Sequence, residues 1–109
     1  MENDFATALE NFRTVSEEIL RAHFDRSGFT FATPGVEIGT GRKYIKVWRT
    51  ETRDGTTTRN SIHAFVEVAT GDIFKPASCK APAKHPRGNV YDDGGRASMN
   101  AHGFVNYMR

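Results

Sequence analysis

The sequence predicts a single α+β domain in which an N-terminal amphipathic helix packs on a three-stranded antiparallel sheet, followed by an irregular basic loop and a C-terminal tail. Three observations carry that expectation. Apolar residues recur at helical spacing over residues 4–25, two alternating segments flank an Asp54-Gly55 pair, and residues 75–89 set Lys75, Lys80, Lys84, His85 and Arg87 among three prolines with no acid. With 109 residues the chain has the size of one domain, 1–109, and enough length to bury a modest core. An apolar fraction of 38% with eight phenylalanines argues against disorder.

Phe5, Leu9, Phe12, Val15, Ile19 and Ala22 follow one another at steps of three and four, the period of a single apolar helix stripe. Asn3 or Asp4 caps the start, and Ser27-Gly28 ends the helix. The stripe is read as the face that packs on the sheet, with a homo-oligomer seam as the alternative. Residues 28–42 carry Gly28, Pro34, Gly35, Gly39 and Gly41, and read as a connector in which Phe29 and Phe31, or Val36 and Ile38, form at most a short strand.

Residues 43–51 then read as a strand, with Ile45 and Val47 on one face and Tyr44, Lys46 and Trp48 on the other. Asp54-Gly55 marks a tight turn, and residues 60–69 return with Ile62, Ala64, Val66 and Val68 facing one way and His63, Phe65 and Glu67 the other. Thr70-Gly71-Asp72 is a second turn, and Ile73-Phe74 begins the third strand. Pro76, Pro82 and Pro86 keep the basic run out of helix, so it is read as a shaped loop. Beyond it, Asp92-Asp93-Gly94-Gly95 is an acidic turn, and residues 96–109 are read as a mostly irregular tail.

The formal charge is only +2, from fifteen basic and thirteen acidic side chains, so attraction for a polyanion must come from how charge is distributed. Residues 1–25 hold six acids against Arg13 and Arg21, whereas residues 75–89 hold only bases. A lone Cys79 makes no internal disulfide and fits a reducing compartment. The absence of an apolar run long enough to span a bilayer, or of a secretion signal, predicts a cytoplasmic protein with no membrane partner. His23, His63, His85 and His102 are scattered at spacings that match no metal motif, and no phosphate-cradling glycine loop is present. The reading is therefore no metal, no cofactor, no catalytic residue and no enzyme.

Val66 to Asp92 resembles a small uncharacterised protein family encoded by bacteriophages and prophages. The resemblance rests on Thr70-Gly71-Asp72-Ile73, Lys75-Pro76-Ala77-Ser78, Lys80-Ala81-Pro82-Ala83-Lys84 and Arg87-Gly88-Asn89 followed by an aliphatic residue, an aromatic and Asp92. Cys79 stands where members usually carry an aromatic, and Pro86 where a small residue is usual. The resemblance implies a phage origin, the host-cell cytoplasm as compartment, and a three-stranded antiparallel sheet leading into a basic loop.

Phosphate contacts need only cations on an exposed support, and single strands add faces on which bases stack. Lys75, Lys80, Lys84, His85, Arg87 and Lys46 supply the first, and Trp48 and Phe65 the second. The expected role is thus a non-enzymatic accessory protein that binds nucleic acid, single-stranded in preference to duplex. The alternative is a module that docks on a host or phage protein. Trp48 and Phe65 would serve neither role if they form a second small core.

Overall fold

The computed structural model describes residues 2–27, 32–78 and 80–99, and begins with helix α1, Glu2–Ser27. Five strands follow: β1 Thr33–Ile38, β2 Tyr44–Arg53, β3 Thr56–Glu67, β4 Asp72–Pro76 and β5 Pro82–Asn89. Each is antiparallel to the next, and the spatial order of the sheet is the order of the chain. A short 3₁₀ segment, Asp93–Ser98, then turns back onto α1 and β5. Gly28, Phe29, Phe31, Cys79 and the tail from Asn100, all named above, lie outside the described residues.

The helix and antiparallel sheet are as expected, but the sheet has five strands where three were predicted. Both added strands are edges. β1 falls in the presumed connector and contains Pro34 and Gly35, while β5 is built from the presumed loop and contains Pro82 and Pro86. Proline cannot donate to a ladder, which confines it largely to edge strands, strand ends and bulges. Breakers that look like a loop in sequence are here the signature of an outermost strand.

The core lies between α1 and one face of the sheet, where Ala8, Leu9, Phe12 and Leu20 meet Val36, Val47, Ala64, Val66, Ile73 and Val90. Phe5, Val15 and Ile19 border it as the stripe predicts, but Ala22 is exposed and buried Ser16 takes a place in the contact. Gly95 allows the 3₁₀ segment to lie close: at φ +73° it adopts a conformation that disfavours side chains, and a Cβ there would run into Ile73 and Phe12.

The β2–β3 hairpin turns at Asp54 and Gly55 with positive φ at both, the geometry that suits the twist of the strands. Two bulges interrupt it. Val47 faces Ala64 while Trp48 faces Ile62, leaving His63 unmatched; Arg49 faces Ser61 while Thr50 faces Arg59, leaving Asn60 unmatched. An extra residue shifts the alternation that follows it. Hence Ile62 does not share a face with Ala64 and Val66 as predicted, and His63 lies against α1 instead of beside Phe65. Val68 is exposed in the next turn.

Candidate nucleic-acid interface

The face of the sheet away from the helix carries Tyr44, Lys46 and Trp48 of β2, as their alternation with core Ile45 and Val47 requires. Lys46 stands opposite Phe65, Phe65 opposite Phe74, and Phe74 opposite Pro86, a row crossing four strands over about 14 Å. The Tyr44 ring meets Phe65 and Phe74 edge-on, at centroid distances of 6.4 and 5.6 Å. Phe65 is only 2% exposed, so its ring is packing and offers no platform for a base. This small aromatic cluster is the second core that the sequence left open.

Trp48 is half-buried. The Arg59 guanidinium lies 4.9 Å from its ring centroid, held there by a 2.7 Å bond from Arg59 Nε to Glu37 Oε1, and Glu37 is the cross-strand partner of Trp48. A Cβ on Gly39 would sit 2.9 Å from the indole Nε1, which places backbone against that edge. The remaining reach of the indole borders a cavity of about 370 Å³ whose other walls are Asn60, Ser61, Ile62, Pro76 and Ser78. β3 pairs with β4 only at Phe65 and Val66, so its first half runs on past β4 and leaves this notch beside the β4–β5 turn.

The basic run forms a hairpin arm. Ala77 and Ser78 N–H groups donate to the Ala81 carbonyl across its turn, and the Lys80 N–H to the Ser78 hydroxyl. Pro76 faces Pro82 and Phe74 faces Pro86, so Lys84 and His85 lie on a strand with more residues than its partner, and both are exposed. Lys80 is exposed in the turn, while Lys75 is half-buried on β4. Arg87 is the odd residue between Pro86 and Gly88, opposite Phe74 and Ile73. Arg87 is half-buried, and its Nε and Nη1 are buried with no acceptor, so these two donors do not reach solvent. Gly88 behind it approaches Ser98, whose Cβ would be 2.8 Å from a Cβ at 88.

Five arginines elsewhere are tied to carboxylates. Arg13 and Arg21 bond Glu17, Arg53 bonds Glu51, Arg59 bonds Glu37, and Arg96 bonds Glu18 and Asp93. Among the described residues no carboxylate holds Lys80, Lys84, His85 or Arg87.

Sequence reasoning passed over a buried polar chain on the helix side. Arg49 Nε donates to His63 Nδ1 at 3.2 Å, and because arginine only donates, Nδ1 must be the acceptor. The His63 proton is therefore on Nε2, which donates to Ser16 Oγ at 3.0 Å, and Ser16 donates in turn to Met99 Sδ at 3.2 Å. Burial, reinforced by the Arg49 charge, lowers the His63 pKa from 6.5 to about 3, and burial lowers that of Arg49 to about 10. The Ser16–His63 contact has the polarity opposite to a nucleophile and its base: the imidazole donates to the hydroxyl, and both are sealed from solvent. No group of three or more potential metal ligands occurs among the described residues, and no helix there is long and apolar enough to cross a membrane.

Residues 3–108 match a family model described as a family of unknown function, DUF7717. No curated protein and no solved structure matches the chain.

Proposed function

Because the chain belongs to the DUF7717 family of unknown function, we propose its role from its own chemistry: a non-enzymatic accessory protein that binds nucleic acid, single strands in preference to duplex, along the β4–β5 arm. The observation that carries this reading is the contrast in charge pairing. Lys80, Lys84 and His85 are exposed and without carboxylate partners among the described residues, whereas five arginines elsewhere are tied to carboxylates. A polyanion supplies the missing counter-charge, and releasing its condensed ions adds to the affinity. Lys46 lies on the face that carries Trp48, and Lys75 leads into the arm, so both join the proposed contact. A phage origin, and with it action in the host cytoplasm, is supported by the resemblance of Val66 to Asp92.

The test is binding of a labelled single-stranded oligonucleotide across a salt series. Affinity falls steeply with salt, and Lys80→Ala with Lys84→Ala reduces the log–log slope by about 0.7 for each single-strand phosphate contact removed. No binding at low salt overturns the proposal. A protein partner is the second reading, favoured by Tyr91, 53% exposed beside a cleft of about 600 Å³ that includes Asp4, Asn11, Thr14 and Asp93. Such a complex survives moderate salt and depends on Tyr91.

A further inference from the structure

We infer that the notch between Trp48 and the β4–β5 turn is a slot for one unstacked nucleobase; the inference rests on the nucleic-acid reading above and deepens it. The walls divide by chemistry. Trp48, Ile62 and Pro76 are flat or aliphatic, suited to the faces of a ring, while Asn60 and Ser78 carry donors and acceptors suited to its edge. At about 370 Å³ the cavity is roomy enough for one base. A base inside a duplex cannot enter without leaving its partner, so the slot itself selects single strands.

The indole is already fixed for this use. Arg59 lies over the ring and is bonded by Glu37, yet Arg59 is not among the described residues that line the notch, so the surface reached from the cavity is one that Arg59 leaves open. Gly39 backs the Nε1 edge. The base therefore meets a ring with little orientational freedom left to lose. Cations flank the opening: Lys46 is two residues before Trp48 on the same face, about 7 Å along the strand, and Lys80 is two residues beyond Ser78 in the turn. These positions suit the phosphates on either side of a base held in the notch. Asn60 reaches the site because it is the unmatched residue of a bulge, a device that redirects a side chain.

Trp48 is the sole tryptophan, so its fluorescence reports on the slot directly. The experiment titrates the full chain at low salt with a short oligothymidylate and with an otherwise identical strand made wholly of abasic sites. The expected result is quenching by the thymidylate only, with the abasic strand binding about tenfold more weakly at an equal salt slope. Ser78→Phe, which fills the notch from an exposed position, abolishes the quenching and brings thymidylate binding down to the abasic level. Equal affinity for the two strands with no fluorescence change overturns the slot and leaves phosphate binding standing. Absence of binding by either strand overturns both.

Discussion

At β1 the backbone is closed off by the helix: the Arg21 Nε donates to the Pro34 carbonyl at 3.1 Å, and the Val36 N–H donates to Glu17 Oε2 at 3.1 Å. Glu17 and Arg21 are themselves an ion pair one helical turn apart. At β5 prolines, extra residues and exposed cations occupy the strand, which pairs with β4 and, from behind, meets Ser98 at Gly88. Any open strand edge invites another strand. One edge is blocked by side chains that imitate a neighbouring strand, and the other by residues a neighbouring strand would reject. The second solution leaves positive charge facing solvent, and on that difference the proposed function depends.

The largest effect separating the two edges comes from Gly88. A valine there must displace Ser98, and we expect it to cost about 2–3 kcal/mol by overpacking, read as a lower urea midpoint, while leaving β1 intact. Glu17→Ala removes the acceptor of the Val36 N–H and one of the acceptors of Arg13 and of Arg21; a loss of about 2 kcal/mol is expected, together with self-association through β1 visible by light scattering. If the mutant stays monomeric, side-chain closure is not what guards that edge.

Acid tests the polar chain between the edges. The folded pKa of His63, about 3, lies below its unfolded value of 6.5, so the unfolded chain takes up the proton first. Its contribution is fully present above about pH 6.5 and is lost as pH falls toward 3, at about 1.4 kcal/mol per pH unit. Protonation also turns Nδ1 into a donor facing the Arg49 donor. Denaturation across that range should show the loss, and His63→Gln should remove most of this slope. The smallest effect on folding belongs to Lys80→Ala with Lys84→Ala, within about 0.5 kcal/mol of the parent, although oligonucleotide affinity drops. A large loss of stability there would show that these lysines serve the fold instead of a ligand.

The helix and the central hairpin were legible because periodicity speaks where one face is buried: Leu9, Phe12, Val47 and Val66 lie where their spacing puts them. The edge strands were not, because an edge is half solvent and tolerates Pro34, Gly35, Pro82 and Pro86, the residues that otherwise announce a loop. The bulges at Asn60 and His63 left no mark in composition, so the faces of Ile62 and His63 were misassigned. Of the predicted contacts, Lys80, Lys84 and His85 reach solvent, Lys46 and Trp48 come together on one face, Phe65 is interior, and Arg87 turns its Nε and Nη1 inward. Asn60, Ser61 and Ser78 could not be anticipated, since the notch exists only where β3 outruns β4.

Since neighbours in the sheet are also neighbours along the chain, every ladder closes as a local hairpin, and none must wait for a remote segment to diffuse into place. Zipping can begin at Asp54-Gly55 and spread outward in both directions, which favours rapid assembly for a β-rich chain. The contact that closes the longest loop, Ser16 to Met99 across 83 positions, fastens the end of the described chain to its beginning, and contact order predicts that it forms last.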